Sequence, residues 1–253
     1  MQLAMRDAAG ILKVSEKDVL RWIKQGLLPA HRVNEQYRLN KADLLEFATS
    51  RKIPFSPELF AGPASAGAAL PTLSAAPRTG GVHYGVPGND KPAVLREVVE
   101  RLHLPDDVDR QFLLQVLLAR ESLGSTGVGD GLAIPHVRNP IVLHIHEPMI
   151  ALCFLQTPID FAAIDRKPVH VLFTMVSPTI NAHLHLLSQL AFTLRDEPFK
   201  QAVLRQAPAD EIFTQAARVE QEAEERHGAL QKRENDADRF EQECRHSESS
   251  PCN

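Results

Sequence analysis

The chain has 253 residues, 43% of them hydrophobic and 24% charged, with a formal net charge of -4. This is material for one or two globular domains with a real core, and it excludes a protein that is basic throughout. The charge is unevenly spread: residues 1–52 hold ten Lys/Arg against six Asp/Glu, residues 218–253 hold six against ten, and only the N-terminal part suits a polyanion.

The N-terminal stretch MRDAAGILKVSEKDVLRWIKQGLLP places Ala8, Ile11 and Leu12 at helical spacing before Val14-Ser15 breaks the pattern. Ser15 is a natural cap for a second helix carrying Val19, Leu20, Trp22 and Ile23, and Gly26 suits a left-handed stop. Short strands around a turn at Asn34-Glu35-Gln36 follow, then a third helix from Asn40 in NKADLLEFATSR. The pattern A-x-x-L/V-x-V-S-x-x-x-V-x-x-W-I-x-x-G-L-L-P with a later Y-R-L resembles the small winged helix-turn-helix of the excisionase/MerR type. That resemblance covers nearly all of residues 1–52. It implies DNA contacts from Ser15, Lys17, Arg21 and Lys24 on the second helix, and from Arg32, Gln36 and Arg38 on the wing. A module of this kind also serves protein contacts, and a single copy usually needs a dimer for useful DNA affinity.

Residues 53–80 are rich in Pro, Ala, Gly and Ser and read as a flexible linker. Residues 81–217 alternate helical and strand-like segments. KPAVLREVVERL, DDVDRQFLLQVLLAR, AHLHLLSQLAFTLRD and EPFKQAVLRQ have helical patterning, while MIALCFLQ and VHVLFTMV are apolar runs of strand length. This predicts an α/β unit, a sheet flanked by helices. Residues 218–253 are strongly polar, a helical extension at first and a disordered end at SESSPCN.

The densest chemistry is in ARESLGSTGVGDGLAIPHVRNP, residues 119–140. Gly124, Gly127, Gly129 and Gly131 let backbone N–H groups approach an anion, with Arg120 before them and His136 after. The segment is neither a Walker A loop nor a GxGxxG fingerprint. A neutral imidazole attacks a phosphoryl donor near pH 7, and the transition state needs charge stabilisation more than acid-base help. His136 is the candidate nucleophile. Arg120 offers a planar fork for phosphate oxygens, and Ser125, Thr126 and the N–H groups around Gly127 offer further donors.

Residues 81–217 resemble the IIA domain of the fructose/mannitol type in the phosphoenolpyruvate-dependent phosphotransferase system, including its nitrogen-regulatory branch. The resemblance is carried by L-L-A-R-E-S-L-G-S-T-G-V-G-D-G-L-A-I-P-H, then P-I-D-F near residue 160, then H-L-H-L-L-S-Q-L-A from His183. It implies a mixed sheet flanked by helices, phosphorylation of His136 by an HPr-type phosphocarrier, and Arg120 as charge partner. It also implies an auxiliary histidine, which maps to His183. Periodicity agrees, because helix residues two apart point about 200° from each other. His183 sides with Leu186, Leu187 and Leu190; His185 sides with Ser188 and Gln189 and is expected to be solvated.

His144, His146 and His170 lie in the same region, but no cysteine or carboxylate completes a ligand set at recognisable spacing, so neither metal nor cofactor is expected. Cys153, Cys244 and Cys252 are too scattered for a disulfide framework, and Cys153 in its apolar run should be a buried free thiol. No apolar run approaches the roughly 20 residues of a bilayer span, which with the absence of a signal pattern fits a cytoplasmic protein. Three functions are open: a phosphorylatable regulator with a DNA-binding module, a transport component handing phosphate to a IIB domain, and a stoichiometric partner-binding regulator.

Overall fold

The computed structural model describes residues 2–33, 36–55, 72–137, 145, 147–226 and 228. The N-terminal module is β1 (Gln2–Ala4), α1 (Met5–Leu12), α2 (Glu16–Lys24), β2 (His31–Val33), β3 (Gln36–Asn40) and α3 (Lys41–Ser50). Its local punctuation matches the sequence. The Ser15 side chain accepts from the Asp18 N–H at the start of α2, Asn40 accepts from the Ala42 N–H at the start of α3, and Gly26 has φ +68° just past α2. The turn at Asn34-Glu35 lies outside the described residues. The strand β1 had no sequence signal, being three residues long; it pairs antiparallel with β3, Leu3 opposite Leu39, in a sheet ordered β1-β3-β2.

The larger unit contains α4 (Ala76–Gly80), β4 (Val82–Val86), α5 (Lys91–Arg101), α6 (Arg110–Ser122), β5 (Gly127–Gly129), β6 (Leu132–Ala133), β7 (Met149–Ile159), β8 (Val169–Val176), α7 (Ile180–Thr193) and α8 (Glu197–Leu204). A last helix, α9, spans 209–226. The strands form one mixed sheet ordered β4-β7-β8-β6-β5, parallel at β4/β7 and β6/β8 and antiparallel at β7/β8 and β5/β6. The expected α/β architecture, a mixed sheet flanked by helices and preceded by a helix-turn-helix, is what the chain forms.

The central strands are apolar on both faces because both are covered. Along β7 the side chains alternate. Ala151, Cys153 and Leu155 join Val94, Leu95, Leu113 and Leu117 of α5 and α6, while Ile150, Leu152 and Phe154 join the α7 leucines. The second cluster continues without a break into Leu12, Leu44, Leu45 and Phe47 of the N-terminal module. This accounts for α3, whose residues are buried on nearly every side, Lys41 and Asp43 included.

One expectation at the unit's margins changes. The supposed flexible linker, 53–80, is packed at both ends: Phe55, Leu73, Ala76 and Pro77 are buried, and α4 lies against β7. Arg195 stacks its guanidinium over Phe55 at 5.0 Å and donates to the Ile53 carbonyl, and the Glu220 carboxylate accepts from the Leu73 and Ser74 N–H groups. Scattered large apolar residues anchor a segment whose average composition is that of a linker; residues 56–71 lie outside the description. At the other margin α9 runs on past 217 and buries Val219. The end of the polar tail, from 229 on, is outside the description.

Cys153 is fully buried on β7, and burial pushes its thiol up to about 12. The folded protein should therefore leave Cys153 unalkylated by iodoacetamide at pH 8, whereas the denatured chain reacts fully. Peptide mass spectrometry of both samples checks this; rapid native labelling would show that the β7/α5 layer opens.

Candidate active site

Asp109 caps α6 through the Phe112 N–H, and that helix delivers Arg120 and Glu121 to its last turn. Both are buried, at 8% and 6% exposure. The chain then turns at Gly124 (φ +156°) into the β5/β6 hairpin, where Gly129 pairs with Leu132 around Asp130 (φ +55°) and Gly131 (φ +77°). Two successive left-handed residues in a two-residue loop are the type I′ arrangement that Asp-Gly favours. That dipeptide was visible in the sequence, and the hairpin could have been read from it.

After β6 the chain runs beside β8, the Met175 N–H donating to the Pro135 carbonyl at 2.8 Å, which places His136 at the sheet's end. The His136 Nδ1 lies 2.8 Å from the Ile134 carbonyl oxygen. A carbonyl only accepts, so Nδ1 carries a hydrogen and Nε2 is the nitrogen turned toward the site. His183 lies in the first turn of α7, capped by Thr179, with its ring centroid 5.1 Å from that of His136.

Arg120 and His136 come together, but not in direct contact. Between them stands Glu46 of α3, 90 residues before His136 in sequence. Its Oε1 lies 3.0 Å from His136 Nε2, and its Oε2 lies 2.5 Å from an Arg120 guanidinium nitrogen. The second Arg120 nitrogen donates to the Gly124 carbonyl at 2.8 Å, and Arg120 Nε is buried with no partner among the described residues. Glu46 carried no sequence signal, being one carboxylate on an otherwise ordinary helix.

The hydroxyl pair takes a different part from the one expected. Ser125 Oγ donates to the Phe161 carbonyl and accepts from the Gly127 N–H; Thr126 N–H and Oγ1 both donate to Glu121. These donors brace the loop rather than wait for an anion. Glu121 in turn receives Lys91 Nζ at 3.0 Å, which lies over the Phe161 ring. The P-I-D-F segment is thus a wall of the loop. Gly127 fits because a Cβ there would lie 2.6 Å from the Ala163 Cβ.

His185 is half-buried rather than solvated, and Ser188 on its side of α7 is fully buried, its hydroxyl donating to the His185 carbonyl. His144 and His146 lie outside the described residues. On the N-terminal module Lys17, Arg21, Lys24 and Arg32 are exposed. Ser15 is occupied as a cap and donates to Asp18, Arg21 pairs with Asp18 at 2.7 Å, and half-buried Arg38 donates to Gln36. The Ser15 hydrogen bond holds the Asp18 carboxyl below its usual range. Among the described residues no helix is long and apolar enough to cross a membrane.

The profile of the phosphoenolpyruvate-dependent sugar phosphotransferase system EIIA 2 family matches residues 80–217, and a helix-turn-helix domain profile matches residues 5–52. A nitrogen regulatory protein of Pseudomonas aeruginosa is 40% identical over 134 residues, covering 51% of this chain and 84% of its own. The fructose-specific EIIABC component of Bacillus subtilis is 32% identical over 136 residues, covering 52% of this chain and 21% of its own. Among solved structures, the nitrogen regulatory protein IIA-Ntr of Neisseria meningitidis aligns at a TM-score of 0.48 and 27% identity, over 53% of this chain and 92% of that one.

Proposed function

The chain belongs to the EIIA 2 family of the phosphoenolpyruvate-dependent sugar phosphotransferase system, and from that premise we propose that it is a regulatory phosphoryl acceptor charged at His136 Nε2 by an HPr-type phosphocarrier. The observation that carries this is the His136 ring itself, whose Nδ1–H is held on the Ile134 carbonyl so that Nε2 faces Arg120's pocket. In the transfer, the N–P bond of the carrier's phosphohistidine breaks and its electron pair returns to the carrier's imidazole. The lone pair of His136 Nε2 forms the new N–P bond. The metaphosphate-like group in flight bears its charge on three oxygens, and a guanidinium beside it lowers the barrier. Arg120 supplies that fork, its Nε being a buried donor without a partner among the described residues. His183, against the ring of His136, packs it in place.

Regulation is favoured over handing phosphate to a IIB domain by one feature: the helix-turn-helix shares its apolar cluster with the IIA face rather than hanging from a free tether. In this reading the exposed Lys17, Arg21, Lys24 and Arg32 contact DNA phosphates and bases.

The full chain incubated with phosphoenolpyruvate, enzyme I and a cognate phosphocarrier should take up acid-labile phosphate. His136→Ala should reduce uptake to background. Uptake by the variant equal to that of wild type, or none by wild type, would remove His136 from this role.

A further inference from the structure

Glu46 is an unusual occupant for a phosphorylation site. Its carboxylate puts one oxygen on the atom that would carry the phosphoryl group and the other on the guanidinium that would hold the phosphoryl oxygens. Those are the contacts a phosphoryl group on Nε2 would make. The cleft left among Glu46, Arg120, Ser125, Thr126 and His136 has a volume of about 30 Å³, room for about two waters.

Access is closed as well. His136 is 2% exposed, while a donor phosphorus must come within roughly 3–3.5 Å of the nucleophile. With Glu46 at 3.0 Å from Nε2, no phosphohistidine of a second protein reaches that nitrogen. The docked helix has further holds on the same flank: Lys52, just past α3, pairs with Asp130 of the β5/β6 hairpin at 2.7 Å, and Lys200 meets the same carboxylate. Hydrogen bonds from Lys200 and Lys52 draw the Asp130 carboxyl down to about 2, so it is charged at neutral pH.

We infer that the face around His136 is one docking surface for two competing occupants, α3 of this chain through Glu46 and the phosphoryl-donating partner. Phosphorylation of His136 then releases the N-terminal module. The inference rests on His136 being the phosphoryl acceptor. A phosphoryl group on Nε2 brings about two negative charges to the place where Glu46 stands, and two like charges in a buried pocket repel strongly. It also takes Arg120 for itself. Transfer proceeds only from the undocked state, and the phosphorylated state does not redock. By linkage, whatever holds the module away from the face shifts the phosphorylation equilibrium to the same degree that phosphorylation shifts undocking, and the rate of uptake follows the fraction of undocked chain.

The test uses the full chain with the same phosphoenolpyruvate, enzyme I and phosphocarrier, comparing wild type, Glu46→Gln and Glu46→Arg. Glutamine removes the charge on Arg120 and His136; arginine sets a second guanidinium against Arg120, so docking is lost even if apolar packing tolerates the amide. Uptake at His136 should be faster in both variants, by a factor within about 5- to 150-fold, the usual range of coupling between competing events. Amide hydrogen exchange supplies the second readout. Residues 41–50 and 180–193 should exchange slowly in unphosphorylated wild type and faster in phosphorylated wild type and in Glu46→Arg, while the α5 and α6 amides stay unchanged and report an intact fold. Equal uptake rates in all three proteins, with exchange of α3 and α7 unaltered by phosphorylation, overturn the competition while leaving His136 as the acceptor. Absence of phosphate from His136 in all three overturns the acceptor role, and this inference with it.

Discussion

Replacing Glu121 with alanine is expected to cost about 3 kcal/mol of folding stability, the scale for removing one partner of a buried ion pair, and to slow phosphoryl uptake at His136. The Glu121 carboxylate is 3% exposed in its pair with Lys91 and accepts from both the N–H and the hydroxyl of Thr126. Alanine leaves Lys91 beside Phe161 without its counter-charge and strips two donors of their acceptor, each unmade bond in a buried place costing on the order of 1–3 kcal/mol. The loss then spreads, because the Thr126 carbonyl accepts from the Ile134 N–H, two residues before His136. Loosening Thr126 loosens the segment whose Ile134 carbonyl fixes the imidazole tautomer. Glu121→Gln keeps an acceptor for Thr126 and should recover most of the uptake, though less of the stability. Urea unfolding midpoints and initial uptake rates measure the two effects. A Glu121→Ala change below about 0.5 kcal/mol, the scale of an ordinary surface substitution, would show that the pair is open to water.

Gly80→Ala is expected to be as damaging for a different reason. A Cβ built at Gly80 lies 2.2 Å from the Ile150 carbonyl oxygen and 2.3 Å from its carbon. These are backbone atoms of β7, which stands second in the sheet between β4 and β8, so no side chain can swing aside. Either α4 lifts from the sheet or β7 shifts, and overpacking of this kind costs about 1–3 kcal/mol or more. Gly10 in α1 is the control: a Cβ there meets nothing within 4 Å, and Gly10→Ala should stabilise by about 0.5–1 kcal/mol through reduced unfolded-state entropy. Thermal unfolding of the two variants should therefore shift in opposite directions. If Gly80→Ala melted with wild type, the contact between α4 and β7 would have to be looser than its geometry.

Much of the larger unit was legible because its signals are local. Helix starts announce themselves through side chains that cap their own N–H groups: Asp90, Asp109, Thr179 and Asp196 all do so, as do Ser15 and Asn40 in the smaller module. The apolar runs of β7 and β8 have strand length and are buried on both faces. Helical periodicity pointed His183 inward, and it lies against His136.

Other features had no local signal. Periodicity says which face of a helix is apolar, and cannot say what will cover a face of mixed character. The His185 and Ser188 side of α7 looks polar by itself, yet in the folded chain Ser188 is fully buried and His185 half-buried. Composition averages over a window, so residues 53–80 looked like tether while Phe55 and Leu73 were anchored at its two ends. The hydroxyls of Ser125 and Thr126 have the right chemistry for an anion, but a carbonyl and a carboxylate brought in by the fold engage them first.

The chain sequence by itself determined the main helices, the two central strands, the Gly-rich turn and the histidine at its end, because each rests on residues within a few positions of one another. Only the tertiary structure decided the strand order, the single apolar cluster shared by both units, and the meeting of Glu46 with Arg120 and His136. A contact between residues 90 positions apart is written in no spacing or period. It exists because burying one more face of α3 against the sheet unit removes apolar surface from water, and that packing carries one carboxylate onto the imidazole.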